Sequence, residues 1–307
     1  MARGAIVVVG SCNMDMVIVS ERLPSPGETV LGGEFQTSPG GKGANQAVAA
    51  ARAGSAVDFV GCLGGDMFGN ELIANLRKER VSVDFTTRER KMPTGVALIM
   101  VDGHGENMIS VSPGANAALS SASIERARMR TRDADYCLIQ MEIDPEAVFY
   151  AMNMAWRENT PVMLNAAPAP DQPLPEKLIR QVEVLVVNKM EAAALSGNGV
   201  EDEASAHEAA RSLQQMGASN VVITMGAEGA LVCGDECVLV PARQVEVVDA
   251  VGAGDAFCGA LVTLLAEGES LVEAARFAAA GAALACTKIG AQASLPARTD
   301  IESLLRT

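Results

Sequence analysis

The residues between Val248 and Phe257 combine the types and spacing that phosphate chemistry needs. The turn Gly252-Ala253-Gly254 carries almost no side chains, so its backbone N–H groups can point at one spot. The apolar helix that follows adds its own unpaired N–H groups and the positive end of its dipole, which predicts an anion cradle. Asp255 stands at the mouth of this cradle, where a carboxylate makes sense as the base for a hydroxyl that attacks a phosphate. The alternative is that Asp255 only caps the helix after the glycine turn.

Two polar side chains follow the first predicted strand, Ala5–Val9. Asn13 and Asp15 alternate along the chain, so both can face one side just past the carboxyl end of that strand. Ligands of open α/β sheets bind at this place, and the pair is suited to hold two hydroxyls. A solvated loop is the alternative.

The loop from Pro39 to Asn45 resembles a phosphate-binding loop but fails the test for one. A Walker A loop needs a glycine where Gln36 stands, and a serine or threonine where Gly43 stands. The glycines, Gly41 among them, therefore more simply let a neutral ligand approach the backbone, with Lys42 and Asn45 supplying hydrogen bonds.

Further polar residues follow later strands of the predicted sheet. Glu142 comes after one strand, and Asn188 comes after another, three residues before Glu191, so that these two share a face of a helix start. An amide and a carboxylate there could order waters on a magnesium ion bound to phosphates. A plain helix cap is the alternative for Asn188 and needs no ligand. Room for a nucleotide against the backbone is predicted at the end of the next strand, at Thr224, Gly226 and Gly229.

The elements that must position these residues alternate between strands and helices. After Ala5–Val9, strands are predicted at Val57–Cys62, Tyr136–Gln140, Val162–Asn165, Val184–Val187 and Asn220–Thr224. Helices are predicted from about Gly41 to Ala53 and at Met67–Arg80, Pro145–Glu158, Lys189–Leu195, Glu203–Met216, Ala256–Glu267, Leu271–Thr287 and Thr299–Leu305, with a turn at Lys288–Ser294. This order predicts an α/β fold with a mainly parallel sheet covered by helices on both faces.

Two groups of short strands interrupt that pattern and predict a small β-sheet lid. The strands Met16–Ser20, Thr29–Leu31, Glu34–Ser38, Thr94–Val101 and Asn107–Val111 are broken by proline and glycine. Residues Asp102–Gly105 predict a hairpin turn between the last two. We therefore expect one domain over residues 1–307, with lid segments at approximately 14–39 and 93–113.

A net charge of −14 argues against nucleic acid and anionic membrane surfaces as partners, because the chain has no basic footprint. Any phosphate site must then be local and built from backbone. No apolar run is long enough and free enough of glycine to span a bilayer. Residues 1–4 run directly into a strand, so we expect no signal peptide.

Seven cysteines, mostly inside apolar runs, predict reduced and buried thiols in a cytoplasmic protein. Cys233 and Cys237 flank a short polar segment that predicts the tip of a hairpin. With only two histidines in the chain, His104 and His207, the sequence argues against a zinc site.

Together these segments resemble the ribokinase-type (PfkB) family of carbohydrate kinases. Residues Gly41–Ala47 and Asp249–Asp255 resemble the two signatures of the family, and the second signature is highly specific. Residues 13–15, 140–142 and 165–169 add to the likeness, which extends from Gly10 to Ser294. The resemblance implies an α/β sandwich with a β-sheet lid, which can also form a dimer clasp.

The resemblance also implies a role for each matching residue. Asp255 would take the proton of the terminal hydroxyl of the sugar, and the N–H groups of Gly252, Ala253 and Gly254 would hold the charge on the transferred phosphoryl group. The sugar hydroxyls would be bound by Asn13, Asp15, Gly41, Lys42, Asn45 and Glu142. The nucleotide would lie against Asn188, Thr224, Gly226, Gly229 and Gly254, with Glu191 serving magnesium through water.

A monovalent cation site beside the anion cradle is a further implication of the family. Potassium would be held by Asp249, Val251, Ala285, Lys288, Gly290 and Ser294, mostly through backbone carbonyls. A turn at the end of a strand is the alternative role for Asp249. The sequence departs from the family near Ala279, where a polar residue often lies close to the adenine, and this leaves the nucleotide contacts open.

The expected activity is phosphorylation of D-ribose at its 5-hydroxyl by ATP, giving D-ribose 5-phosphate, with Mg²⁺ required and K⁺ as an activator. A cytoplasmic homodimer that pairs through the lid is expected. The main alternative is the same reaction on another acceptor, such as deoxyribose, a hexose, a sugar acid or a nucleoside. A second alternative is a sugar-binding regulator without catalysis. A nicotinamide dehydrogenase is disfavoured because no strand leads into a Gly-x-Gly-x-x-Gly turn.

Overall fold

The computed structural model describes residues 4–104, 107–170 and 174–306, and its main sheet has eight strands. In spatial order these are β14, β13, β12, β11, β10, β9, β1 and β4. Their bounds, in chain order, are β1 Ala5–Val9, β4 Ala56–Val60, β9 Tyr136–Gln140, β10 Val162–Asn165, β11 Val182–Asn188, β12 Asn220–Thr224, β13 Ala230–Cys233 and β14 Cys237–Val240. The strands from β12 to β4 are parallel, and β13 and β14 join them antiparallel at one edge.

Helices cover both faces of this sheet, and each face has its own apolar core. On one face lie α1 Lys42–Ala53, α2 Met67–Lys78, α9 Ala253–Ala266, α10 Leu271–Ala285 and α12 Arg298–Leu305. On the other lie α3 Ser121–Glu125, α5 Pro145–Arg157, α6 Glu176–Ile179, α7 Lys189–Ser196 and α8 Glu203–Gln215. The remaining short helices are α4 Arg128–Arg132 and α11 Ala291–Ser294. The predicted mainly parallel sheet, with helices on both faces, is confirmed.

A separate four-stranded sheet forms the predicted lid. It consists of β2 Asn13–Val19, β3 Glu34–Gly40, β7 Gly95–Val101 and β8 Asn107–Ser112, in the order β3, β2, β7, β8. The strand predicted at Thr29–Leu31 is wrong: the segment lies between glycines with positive φ, and Leu31 is 91% exposed without a partner strand. Of the predicted turn Asp102–Gly105, Gly105 lies outside the described residues.

Other boundaries differ for local reasons. The strand predicted at Val57–Cys62 breaks at Gly61, and Cys62–Gly64 (β5) instead pairs with Thr87–Glu89 (β6) in a small parallel sheet. A side chain at Gly61 would overlap the ring of Phe59, which explains the glycine. The predicted turn at Lys288–Ser294 ends in the single helical turn α11.

Helices α1 and α9 approach closely because both present small residues to each other. A methyl group at Gly259 would lie 2.7 Å from the backbone nitrogen of Ala50 and 2.8 Å from the carbonyl oxygen of Gln46. Thr263 fixes the same contact by donating to the Ala50 carbonyl at 3.3 Å. This close approach brings the start of α9 beside Asn45 and Gln46.

The cysteines depart from the expectation of reduced thiols at one place. Cys233 and Cys237 stand directly opposite each other in β13 and β14 and form a disulfide. Cys233 and Cys237 are the last residues to pair before the turn at 234–236, and this pairing brings the two sulfur atoms together. Cys12, Cys62, Cys137, Cys258 and Cys286 are free, and four of these five are buried.

Within residues 4–104, 107–170 and 174–306, the helices are too short or too polar to cross a lipid bilayer.

Candidate active site

A cleft of about 230 Å³ opens where the carboxyl ends of β10, β11 and β12 meet the first turns of α1 and α9. Ligands of parallel α/β sheets bind at this edge. Most residues predicted to bind phosphate or nucleotide line the cleft. The lining includes Lys42, Asn165, Asn188, Glu191, Thr224, Ala250, Gly252, Gly254, Asp255 and Cys258.

Asp255 lies in the first turn of α9 but does not cap the helix. The N-cap residue is Gly252, which adopts a φ of 81° and has no side chain to offer. The Asp255 carboxylate points instead towards α1, where Oδ2 accepts from Asn45 Nδ2 at 2.8 Å and Oδ1 accepts from Gln46 Nε2 at 2.9 Å. The helix-cap alternative for Asp255 is therefore wrong.

The amide of Gln46 is held in place by two further amides. Gln140 Nε2 donates to Gln46 Oε1 at 2.7 Å, and Gln46 Nε2 also donates to Asn165 Oδ1 at 2.9 Å. All these side chains are buried, Gln46 and Gln140 completely. Because Gln46 Oε1 accepts a bond, its nitrogen must face Asp255, and the chain of amides fixes both the position and the donor direction.

The charged groups around the cleft shift one another's pKa values. Burial raises the pKa of Asp255, and Lys42, Gln46 and Asn45 oppose that rise. Burial also works against the charge of Lys42, but Asp255, Glu142 and Glu191 outweigh it and keep the Lys42 pKa above its ordinary value. The Lys42 ammonium therefore lies among three carboxylates. A negatively charged ligand that binds here would have to bring cations with it.

Asn13 and Asp15 belong to the lid strand β2, so the solvated-loop alternative for these residues is wrong. Their side chains share one face of that strand, as predicted, and both are buried. Asn116 Nδ2 donates to Asn13 Oδ1 at 2.6 Å, and Asn116 Oδ1 accepts from Cys12 N at 2.9 Å. This pairing orients the Asn13 amide so that its nitrogen points away from Asn116.

Glycines surround the two side chains because nothing larger fits. A side chain at Gly95 would overlap Asn13, and one at Gly40 would overlap the Asp15 carboxylate. Gly41 adopts a φ of 86°, and a methyl group there would lie 2.7 Å from Asn13 N. Gly40 and Gly41 thus make room for atoms of the protein itself, and the approach of a neutral ligand to this loop stays a prediction.

The carboxyl group of Asp15, between the lid and the cleft, has a strongly perturbed pKa. Burial, followed by the charges of Glu142 and Asp255, raises its pKa from 3.8 to about 7. The side chain is 8% exposed. At neutral pH the ligand-free protein therefore holds Asp15 close to its midpoint of ionisation.

Glu142 ties the loop after β9 to the start of α1. Its Oε2 accepts from Ser11 Oγ at 2.5 Å and from the backbone nitrogen of Lys42 at 2.9 Å. Ser11 Oγ in turn accepts from Gly43 N at 3.3 Å. The predicted sugar residues Asn13, Asp15, Lys42, Asn45 and Glu142 thus converge on one region between the lid and the main sheet.

Asn188 and Glu191 form a reciprocal cap at the start of α7. Asn188 Oδ1 accepts from Glu191 N at 2.8 Å, and Glu191 Oε2 accepts from Asn188 N at 2.9 Å. The helix-cap alternative therefore holds for Asn188, although both residues also line the cleft. Thr224 lines it as well, whereas Gly229 does not; its φ of 110° and the Val240 carbonyl, which a side chain there would overlap, both favour glycine.

The residues predicted to bind potassium come from two loops that touch. Asp249 Oδ1 accepts from Val251 N at 2.9 Å, and Asp249 Oδ2 accepts from Gly290 N at 2.9 Å. The carboxylate thus forms the expected turn and also bridges to the second loop. Ser294 donates to the Ala291 carbonyl at 2.8 Å, and the Ala285 carbonyl accepts from Lys288 N at 3.3 Å.

The sequence did not assign a role to five polar residues of this region. They are Ser11, Gln46, Asn116, Gln140 and Asn165. Gln140 and Asn165 end the buried strands β9 and β10, so the rule that sites lie at carboxyl strand ends was a usable signal. Gln46 and Asn116 gave no such signal, because their roles depend on contacts between distant elements.

We expect Asp15→Asn to stabilise the ligand-free protein, increasingly so as the pH rises from 3.8 to about 7. In this window the unfolded chain has released the Asp15 proton while the folded chain retains it, so the folded state of the wild type loses stability as pH rises. The gain should reach about 1–4 kcal/mol of unfolding free energy near neutral pH. Thermal or urea unfolding of both proteins at about pH 4.5 and about pH 8 measures it.

The exposed aspartate Asp84 provides the control for this comparison. Asp84→Asn should change stability by the same small amount at both pH values. An Asp15→Asn effect that did not grow with pH would contradict the raised pKa.

Comparison with known proteins matches this geometry to one family. The model of the pfkB family carbohydrate kinases matches residues 4–298. A ribokinase of Bacillus subtilis (strain 168) is 39% identical over 301 residues, covering 98% of this chain and 99% of the relative. A deoxyribokinase of Salmonella typhimurium is 34% identical over 292 residues, covering 95% of each.

Among solved structures, Arabidopsis thaliana ribokinase complexed with ribose and ATP superposes with a TM-score of 0.90. It is 32% identical, and the match covers all of both chains. The family model, the relatives and the shared fold agree with one another over nearly the whole length. The chain belongs to the pfkB family of carbohydrate kinases.

Proposed function

We propose that this protein transfers the γ-phosphoryl group of ATP to the 5-hydroxyl of D-ribose. The observation that carries the proposal is the buried Asp255 carboxylate, fixed by Asn45 and Gln46 at the glycine turn that opens α9. The ribokinase relatives support ribose as the acceptor, as does the structural likeness to a plant ribokinase complexed with ribose and ATP.

The sugar would lie between the lid strand β2 and the start of α1. Its hydroxyls would pair with carboxylates and amides whose positions are already fixed by Asn116, Ser11 and the surrounding glycines. Such a site rejects analogues that lack a hydroxyl, because one of its buried polar groups would remain unpaired. The proposed sugar ligands are Asn13, Asp15, Gly41, Lys42, Asn45 and Glu142.

Asp255 would act as the general base. The hydroxyl of the sugar would donate to the carboxylate, and as the oxygen attacks phosphorus, the proton passes to Asp255. The raised pKa of Asp255 brings this base nearer to the operating pH. The amides of Asn45 and Gln46 hold the carboxylate still, so little reorganisation accompanies the transfer.

The turn before α9 would stabilise the transferred group. Gly252 and Gly254 carry no side chains, and a methyl group on Gly254 would meet no other atom within 4 Å, so its surroundings are open to a ligand. Backbone N–H groups at a helix start favour negative charge, and Lys42 adds a cation nearby. Preorganised donors of this kind contribute about 10²–10³-fold each to the rate.

Magnesium fits the donors on the opposite wall of the cleft. Glu191 and Asn188 offer carboxylate and amide oxygens, which suit Mg²⁺ and the waters around it. Burial raises the pKa of Glu191, and Lys42 and the Asn188 backbone oppose that rise. When bound with ATP, the ion neutralises phosphate charge; the protein residues Asn188, Thr224, Gly226 and Gly254 would hold the nucleotide.

Potassium fits the two loops that Asp249 joins. The Asp249 carboxylate accepts from the backbone nitrogens of both loops, Val251 and Gly290, and a cation bound beside it would fix the turn that precedes α9. A methyl group on Gly252 would lie 3.0 Å from the Cα atom of Ala291, so the two loops pack directly against each other. The proposed ligands are Asp249, Val251, Ala285, Lys288, Gly290 and Ser294.

The lid also supports assembly as a homodimer. Strand β8 is exposed throughout, and Ile109 is 55% and Val111 45% exposed on the face of the lid that bears Asn13 and Asp15. An exposed apolar sheet face invites a partner, and the self-complementary partner is a second copy. A cytoplasmic location is the remaining part of the proposal, supported by the five free thiols.

The main competing function is the same reaction on 2-deoxyribose, because a deoxyribokinase is also a close relative. The two functions differ in whether Asn13 and Asp15 must pair with the 2-hydroxyl of the sugar, which 2-deoxyribose lacks. A regulator that binds sugar without catalysis is less well supported, since Asp255 and the glycine turn are both present.

The first test is ADP formation from ATP with four acceptors: D-ribose, 2-deoxy-D-ribose, D-fructose and adenosine. We expect ribose to give the highest kcat/KM, and KCl to raise the rate above an equal concentration of NaCl. Asp249→Ala should remove most of the potassium effect. A different leading acceptor would refute the choice of ribose, and an equal response to both salts would refute the cation site.

Asp255→Ala should lower kcat by about 10²–10⁴-fold, because a general base contributes on that order. Ribose binding, measured by calorimetry, should persist. Cys258→Ala is the matched control, since Cys258 lies on the same helix and lines the same cleft without a proton-accepting role. Wild-type turnover in Asp255→Ala would remove Asp255 from the mechanism.

Ile109→Asp should convert the dimer into a monomer, because it places a charge in the centre of the proposed apolar contact. Sedimentation velocity measures the change. Met129→Asp, which charges a similarly exposed apolar residue far from the lid, should leave the assembly intact. A monomeric wild type would disprove pairing through the lid.

A further inference from the structure

The hairpin of β13 and β14 carries a group of side chains that the kinase reaction does not use. Cys233 and Cys237 pair across this hairpin, at the outer edge of the main sheet. Cys233 also pairs with Val221 of β12, whereas the cleft residue Thr224 pairs with Ala230 at the other end of the same ladder. The cysteine pair therefore lies at the end of the strands that is remote from the cleft.

Helix α8 adds the third side chain. The His207 imidazole lies beside the two sulfur atoms, and the three ligand atoms of His207, Cys233 and Cys237 are all within 4.8 Å of one another. The sequence had argued against a zinc site because the chain has only two histidines. The fold nevertheless places His207 beside Cys233 and Cys237.

Hydrogen bonds and apolar packing fix helix α8 against the hairpin of β13 and β14. Gln214, two helical turns after His207 and on the same face of α8, donates to the carbonyl of Gly234 at 3.0 Å and to that of Cys233 at 3.5 Å. Cys233 is completely buried, and Leu213 and Ala210 of α8 are buried in the same core. The histidine and the hairpin thus sit on rigid elements that are fixed to each other, as a metal site requires.

We propose that Cys233, Cys237 and His207 form a redox-gated site for Zn²⁺ or another thiophilic divalent cation. In the reduced protein the two thiolates and the imidazole bind the ion, with water in the fourth position. In the oxidised protein the disulfide occupies both sulfurs and the ion is released. Two sulfurs and one nitrogen form a ligand set that zinc commonly uses.

The redox step balances with a dithiol as the reductant. The dithiol breaks the Cys233–Cys237 bond by thiol–disulfide exchange and supplies two electrons and two protons, becoming a cyclic disulfide itself. Zn²⁺ then displaces the two thiol protons to the solvent, so that the zinc–thiolate centre is neutral. An oxidised dithiol or another disulfide reverses the first step and frees the ion.

The surroundings suit a bound cation. Glu203, one turn before His207 on α8, has its Oε1 3.7 Å from His207 Nε2. Metal-bound histidines usually direct their second ring nitrogen to such a carboxylate. The tip of the hairpin contributes Asp235 and Glu236, which are both exposed and acidic. The local charge thus favours a divalent cation over an anion.

Zinc uptake by the full-length protein tests the proposal. The protein is reduced with a dithiol, freed of metal and reductant, and titrated with Zn²⁺ against a chromogenic zinc indicator. We expect one tightly bound ion per reduced chain and none in the oxidised chain. Replacement of Zn²⁺ by Co²⁺ should give the absorption of a cobalt–thiolate bond.

Three variants locate the site. His207→Ala keeps both thiols and should weaken zinc binding by at least about 10–100-fold, whereas His104→Ala, which removes the other histidine, should not. Cys233→Ser/Cys237→Ser retains the five free cysteines and measures their background. Kinase activity should stay at the wild-type level in all three variants, which also shows that they are folded.

Two results would overturn the proposal. The first is zinc uptake by the reduced wild type no greater than that of the double cysteine variant. The second is equal affinity in His207→Ala and the wild type, which would remove the histidine from the site.

Discussion

Burial of the Asp255 carboxylate is the constraint on which the rest of the active site depends. A charged group removed from water must find hydrogen-bond donors, and here these are amides rather than a cation in direct contact. Both donors, Asn45 and Gln46, come from α1, so α1 and α9 must lie close together. Gly259 and the alanines of the two helices allow that approach. The small residues of α1 and α9 are thus a consequence of burying the Asp255 carboxylate.

The proposed sugar-binding residues show how such a site lowers the stability of the ligand-free folded protein. Backbone packs directly against the Asp15 carboxylate, because a side chain at Gly40 would overlap it. Burial is the main cause of the raised pKa of Asp15, and the negative charges of Glu142 and Asp255 add to it by repulsion. A sugar that donates hydrogen bonds to the carboxylates would relieve it, so part of the binding energy is stored in the ligand-free fold.

Much of this could be predicted from the sequence. The alternation of apolar strands and helices was sufficient for the α/β sheet, and the two glycine-containing signatures were sufficient for the family. Asn13 and Asp15 were correctly placed on one face, but the lid strand was predicted to begin only at Met16, because a period of two does not reveal which sheet a residue joins. Asp255 left two roles open that only the position of Asn45 and Gln46 could separate.

The failures share one physical cause, which is dependence on contacts between distant parts of the chain. Gln46 orients Asp255 only because Gln140, 94 residues later, fixes its oxygen. His207 approaches the cysteine pair only because α8 packs on the hairpin. Gly229 was predicted to make room for a nucleotide, but its φ of 110° and the nearby Val240 carbonyl are a second reason for glycine that the sequence could not show. Residue type and spacing along the chain do not reveal such contacts.

The short connection between β1 and β2 has a mechanical consequence. Only the segment 10–12 separates the last residue of β1 from Asn13, so the chain passes from the central sheet directly into the lid. Asn13 and Asp15 therefore belong to the lid, while Asp255 belongs to the body of the protein. A sugar bound by all three would connect the lid to the body through its own hydroxyls, so that binding the sugar and strengthening the contact between lid and body would be one event.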